Sequence, residues 1–209
     1  MLYSELQCSE AIRKAVERMG FAEMTEIQEK TIPVMLAGHD VIAKAPTGTG
    51  KTCAFGIPVA EHIDPEKKYP QAVIMAPTRE LAQQIAEELT ELTYFMPEVQ
   101  VACVYGGANM EKQARRLAEG CQIVVATPGR LMDHYKHHSI DLAHVTQVVL
   151  DEADEMLNMG FYKDVRHIIE LMKARKSLSM FSATISREVM DIGWLYQHNA
   201  EEITVQPKE

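Results

Sequence analysis

Ala45-Pro46-Thr47-Gly48-Thr49-Gly50-Lys51-Thr52 is a stretch whose residue types and spacing point directly to chemistry. Gly48 and Gly50 allow a tight backbone path that turns several N–H groups toward one point. Lys51 supplies an ammonium for terminal phosphates, and the Thr52 hydroxyl suits Mg²⁺. The apolar run Val41 to Ala45 reads as a buried strand, and Cys53 to Ala60 begins as a helix would. That helix adds the partial positive charge of its N-terminus. Strand, glycine-rich loop, Lys-Thr and helix together make a cradle for a nucleoside triphosphate. The general pattern opens on glycine where this chain has Ala45. The plain alternative is a Gly/Thr turn before an ordinary helix.

A second group follows Val148-Val149-Leu150, another apolar run that reads as a strand. Open α/β sheets bind ligands beyond the carboxyl ends of their strands, and there stand Asp151-Glu152-Ala153-Asp154. Asp151, at the strand end, is placed to bind Mg²⁺ through water. Glu152 is placed to orient and deprotonate an attacking water, since phosphoryl transfer depends on positioning and charge neutralisation. The alternative is an acidic first helical turn, which the helix dipole favours.

These groups need elements to hold them. Ser9 is expected to cap a helix reaching Met19, and Thr25 to start another running toward Leu36 that Pro33 bends or shortens. Strands are expected at Ala72–Ala76, Val99–Tyr105, Ile123–Ala126, Val145–Leu150 and near Leu178–Phe181. Helices follow them, including a strongly periodic one with Leu81, Ile85, Leu89 and Leu92 that Thr78 caps. Pro128 suits a first helical turn. Strands alternating with helices mean βαβ units and a mainly parallel sheet covered on both faces. The 209 residues fit one such α/β domain.

Composition excludes several classes. A net charge of −9 argues against a basic-patch nucleic-acid binder, though it allows a local groove. No apolar run approaches the ~18 residues of a membrane span, and the N-terminus does not resemble a signal peptide. Cys8, Cys53, Cys103 and Cys121 lack metal or redox spacing and read as reduced thiols of a cytoplasmic protein. His134, His137 and His138 share a helix face but lack accompanying ligands, so a solvated face is expected.

Asp151-Glu152-Ala153-Asp154 spells the DEAD box, and the chain resembles the N-terminal RecA-like domain of DEAD-box RNA helicases along nearly its whole length. Ala45 to Thr52 resembles that family's motif I, whose usual first residue is alanine. Pro77-Thr78-Arg79-Glu80-Leu81 resembles motif Ia, Gly106-Gly107 the glycine doublet, Thr127-Pro128-Gly129-Arg130 motif Ib, and Ser182-Ala183-Thr184 motif III. Residues 1–29 resemble the Q motif region, with Met24 where the family usually has proline. The resemblance implies a P-loop NTPase fold. It implies ATP and Mg²⁺ held by Ala45 to Thr52 and Asp151, with Gln28 reading adenine, Phe21 and Tyr3 supporting it, and Thr25 assisting. An amide offers donor and acceptor together, which matches adenine and mismatches guanine. Thr25-x-x-Gln28 is also a capping box, which needs no ligand.

The resemblance further implies that Pro77, Thr78, Arg79, Gly107, Thr127 and Arg130 bind the RNA backbone without reading sequence. Thr78 and Thr127 are equally explained as helix caps, and the arginines as a solvated face. Asp154, Ser182 and Thr184 are expected to couple the ATP and RNA sites. A second RecA-like domain, carrying an arginine finger, has no match here. The chain is therefore expected to be a monomeric piece of a longer helicase that binds nucleotide, hydrolyses it poorly and does not unwind RNA. Two other classes fit less well: a DNA-acting motor of the same superfamily, and a one-domain nucleotide-binding module that regulates a partner.

Overall fold

In a computed structural model describing residues 1–48 and 50–206, seven strands form one sheet. They are β1 (Val41–Lys44), β2 (Ala72–Met75), β3 (Val101–Val104), β4 (Ile123–Ala126), β5 (Gln147–Leu150), β6 (Ser177–Ser182) and β7 (Glu201–Thr204). Their order is β3-β4-β2-β5-β6-β1-β7, and every neighbouring pair is parallel. Parallel neighbours need crossovers, and helices supply them. The helices are α1 (Glu10–Arg18), α2 (Glu26–Leu36), α3 (Lys51–Glu61), α4 (Arg79–Leu92), α5 (Met110–Ala118), α6 (Pro128–Lys136), α7 (Ala153–Met156), α8 (Tyr162–Leu171) and α9 (Arg187–Tyr196).

Successive strand residues leave opposite faces of the sheet, and β2 is closed on both. Ala72 and Ile74 enter one core with Ile27, Phe55, Ile85 and Leu89, so α1 to α4 cover that face. Val73 and Met75 enter the other with Leu131, Val165, Ile168 and Ile192, beneath α5 to α9. Burial on both faces is why β2 and β4, and β5 after Gln147, read as unbroken apolar runs rather than alternating ones.

The sheet order sorts the loops. β5, β6 and β1 are neighbours, so the segments following them leave the sheet side by side: 151–154, 182–184 and 45–52. β3, β4 and β2 are also neighbours, and they bring together 105–107, 127–130 and 77–79. Two groups of candidate residues thus lie along one edge of the sheet, meeting where β2 pairs with β5.

Pro33 leaves α2 at full length, running to Leu36. It sits in the last turn, so the missing N–H costs a single internal bond.

Candidate functional site

The loop after β1 is anchored at its start, where the Ala45 N–H donates to the Ser182 carbonyl at 3.0 Å. It then takes two left-handed steps, Gly48 at φ 81° and Gly50 at φ 77°. At Gly50 a side chain is excluded twice over. The backbone is left-handed, and a Cβ would lie 2.7 Å from Gln28 Nε2 and 3.3 Å from Thr25 Oγ1. Pro46 is half-buried, while Thr47 and Gly48 are exposed. Thr49, the remaining loop residue, lies outside the described residues. Gly50 is the N-cap of α3, so Lys51 and Thr52 open that helix. The Thr52 hydroxyl bonds the carboxyl of Glu88 on α4, whose pKa burial raises above the usual carboxylate value.

Lys51 is only 5% exposed. Its Nζ donates to Glu152 Oε1 at 2.6 Å and lies 3.4 Å from Asp151 Oδ1. Burial works to lower the Lys51 pKa, but the charges of Asp151 and Glu152 outweigh it, and the pKa is raised. Asp151, 2% exposed, is pushed above the ordinary carboxyl range by burial, against the pull of Lys51. It accepts the Glu152 N–H at 2.9 Å. Glu152 is itself left-handed, φ 49° and ψ 49°. A non-glycine residue there costs about 1–3 kcal/mol and persists only where its surroundings impose it. Lys51 thus bridges two carboxylates that would otherwise repel one another in a buried place.

Asp154 turns the other way, toward the segment after β6. Its Oδ2 accepts from the Thr184 hydroxyl at 2.7 Å and the Thr184 N–H at 3.1 Å. The Asp154 N–H donates to Ser182 Oγ at 3.0 Å, and that hydroxyl donates to the Thr184 carbonyl at 2.6 Å. Burial works to raise the Asp154 pKa, but these bonds prevail and hold it below the ordinary value. Hydrogen bonds thus join 151–154 to 182–184, and the Ser182 hydroxyl is among the side chains that lower the Asp154 pKa.

Gln28 stands on α2, 4% exposed, in the reciprocal capping box with Thr25. Its Oε1 accepts from the Thr25 N–H at 3.0 Å and from the Tyr3 hydroxyl. Its Nε2 donates to the Gly50 carbonyl at 3.1 Å. The amide that resembles an adenine reader thus touches the phosphate loop directly. Both lone pairs of its oxygen are taken, so cap and reader share the same atoms. Tyr3 is buried beneath it, and burial raises the phenol pKa. Phe21 stacks on Tyr3 at 6.4 Å and is 44% exposed, leaving a free aromatic face. Met24 is buried, its N–H bonded to the Met1 carbonyl, beside a bridge between Leu2 and Glu23.

The second group is held as firmly. Thr78 caps α4, accepting from the Leu81 N–H at 3.2 Å. Arg79 lies 4.7 Å over the Tyr105 ring, and its Nη1 comes within 3.9 Å of where a Gly107 Cβ would stand. Arg130 Nη1 donates to the Ala108 carbonyl and to Gln113 Oε1, both at 3.0 Å. Thr127 precedes α6 without a side-chain cap bond. Thr127 and Pro77 are buried, so Thr78, Arg79 and Gly107 are the more open members of the group.

Of the three histidines, His137 and His138 are exposed, as a solvated face requires, and His134 is not. His134 is fully buried, with Nε2 at 3.0 Å from Gln113 Oε1, because α6 turns it into the core. His137 bonds the Asp133 carbonyl one turn back. No group of three potential ligands suited to a metal occurs among the described residues. Glu88, Tyr105 and Gln113 join the candidate site from the structure alone. Sequence offered only polar residues on helices and a strand-end tyrosine, which carry no local signal.

The model of the DEAD/DEAH box helicase family matches residues 25–192. The chain belongs to that family. The ATP-dependent RNA helicase CshA of Listeria monocytogenes is 49% identical over 207 residues, which are 99% of this chain and 40% of that protein. DeaD of Escherichia coli, also named an ATP-dependent RNA helicase, is 41% identical over 98% of this chain and 32% of its own length. A crystal structure of a DEAD box protein from Methanococcus jannaschii superposes with a TM-score of 0.91. It is 38% identical over 99% of this chain and 56% of that one. The DEAD/DEAH relatives are thus longer, and this chain spans well under half of the curated ones. The superposition establishes the RecA-like fold that the resemblance implies, on the parallel sheet expected from strand alternation.

Proposed function

We infer that this domain is the ATP-binding domain of an RNA helicase, holding Mg²⁺-ATP or ADP and part of an RNA backbone. The observation that carries the reading is the sheet order. It sets the phosphate loop, the Asp151–Asp154 segment and the Ser182–Thr184 segment side by side, with the Arg79–Arg130 group adjoining. The residues fit a magnesium nucleotide: a left-handed cradle closed by Gly50, a buried ammonium, a hydroxyl at Thr52 and a carboxylate at Asp151. Mg²⁺ would neutralise phosphate charge there, with Thr52 and Asp151 as its protein partners. Phosphate oxygens would draw Lys51 from Glu152, and the freed Glu152 carboxylate would orient a water and take its proton. Asp154, Ser182 and Thr184 would carry that change to the backbone after β6. In a longer enzyme a second RecA-like domain would complete both sites and couple hydrolysis to RNA unwinding or remodelling in the cytoplasm. Alone, the 209-residue chain would be a monomer with little turnover.

Calorimetric titration with Mg-ADP and Mg-GDP, on wild type and Gln28→Ala, tests this. ADP should bind clearly tighter, and Gln28→Ala should lose the difference. Equal binding of both nucleotides by wild type would reduce Gln28 to a helix cap, and binding of neither would reject the nucleotide site.

A further inference from the structure

Gln113 lies within α5, 8% exposed, and a buried amide is tolerated where its hydrogen bonds are met. Its Nε2 donates to the Tyr105 carbonyl at 3.0 Å. Its Oε1 faces Arg130 Nη1 and His134 Nε2, each at 3.0 Å. An amide oxygen only accepts, so His134 carries its proton on Nε2 and leaves Nδ1 bare. That nitrogen is buried with no hydrogen-bond partner among the described residues. Burial and the nearby Arg130 charge both lower the His134 pKa, which keeps the ring neutral.

Three segments therefore meet at one side chain: the loop after β3, α5 itself and α6. Arg130 Nη1 also binds the Ala108 carbonyl, so the amide fixes both the loop backbone and the guanidinium. Across the same loop Arg79 covers the Tyr105 ring, and Gln83 Nε2 donates to the Tyr105 hydroxyl at 3.0 Å. An arginine already seated loses less freedom on meeting a phosphate than one waving in water.

We propose that Gln113 is a positioning residue for RNA: a buried amide that seats Arg130 and the 105–108 backbone for phosphate contact without touching RNA itself. This rests on the RNA-backbone reading of that face. Gln113→Leu removes all three bonds at similar volume, and Gln113→Met serves in its place should leucine fail to fold. A labelled single-stranded oligouridine is titrated against wild type, the Gln113 variant, Arg130→Ala and the double variant, with Mg-ADP affinity measured on each. The Gln113 variant should weaken RNA binding about 10-fold and leave ADP affinity unchanged. The double variant should bind RNA more tightly than the product of the two single losses predicts, because Gln113 acts partly through Arg130. RNA affinity equal to wild type, losses that multiply in the double variant, or a parallel loss of ADP affinity would each overturn the proposal. Wild type that binds no oligonucleotide would instead reject the RNA reading beneath it.

Discussion

Lys51 does two things that pull apart on mutation. It is the only cation bonded to the Asp151–Glu152 pair in the described structure, and it is the ammonium expected to meet phosphate. Lys51→Ala should therefore abolish ADP binding in calorimetry and also destabilise the nucleotide-free protein. Removing one partner of a buried charge network costs about 3 kcal/mol. The sign with pH follows from Asp151, whose pKa is already raised by burial and would rise further without Lys51. A raised folded-state pKa means stability that is present at low pH and lost as pH climbs through that value. The deficit of Lys51→Ala, read from urea midpoints, should narrow as pH falls from about 8 to about 5. A deficit independent of pH would mean that the carboxylates do not suffer from its loss. Sequence made these residues visible because Lys51 closes a glycine-rich run before a helix and Asp151 and Glu152 follow a strand. It could not make the left-handed Glu152 visible, because its side chain bonds a lysine 101 residues away and no local signal marks the backbone.

At the scale of elements, α3 and α4 approach closely because Gly56 has no side chain. A Cβ there would stand 2.8 Å from Leu92 Cδ1 and 3.1 Å from Leu89 Cδ2, both leucines being fully buried. Gly56→Val should lower stability by about 1–3 kcal/mol through overpacking, with ADP affinity retained in whatever remains folded. Unchanged urea midpoints would mean that the helices part freely. The turn after β6 makes a second prediction. Asp154 has a depressed pKa, so its stabilising bonds are intact above the ordinary carboxyl range and lost as pH falls through the folded value. Thr184→Val removes one of them. It should destabilise at neutral pH, and the gap should close on acidification; a gap that persists in acid would assign the loss to packing instead.

Most elements were legible, since β2 and β4 are apolar throughout, β5 is apolar after Gln147, and α4 is strictly periodic. β7 was not, because only Ile203 of its four residues is buried and its pairing with β1 is long-range. α7 was legible only as the alternative reading of the acidic run, because its first two residues, Ala153 and Asp154, belong to that motif. His134 looked solvated beside His137 and His138 because its buried partner, Gln113, lies on another helix.

The whole molecule carries a net charge of −9, yet its candidate phosphate contacts cluster on one edge of the sheet. RNA affinity should therefore fall steeply with salt, while ADP binding through buried Lys51 should respond weakly. The same burial protects the thiols: Cys53 is pushed up to about 12 and Cys103 and Cys121 to about 11.

Turnover is a different matter. Glu152 is engaged by Lys51 at 2.6 Å, and phosphoryl transfer in this chemistry gains about 10³ to 10⁵ from an arginine supplied to the transition state. The resemblance places that arginine on a second RecA-like domain. The 209-residue chain should therefore bind Mg-ATP but release phosphate very slowly, and RNA should not accelerate it. In a longer protein that does turn over, Glu152→Gln should keep ATP affinity near wild type and remove hydrolysis. Phosphate release assayed on this chain, with and without oligouridine, decides the first part. RNA-stimulated turnover within the usual 1–100 s⁻¹ of phosphoryl-transfer enzymes would mean that the domain carries its own transition-state cation. An arginine scan of this chain would then find it, starting with the guanidinium already seated against the glycine loop, Arg130.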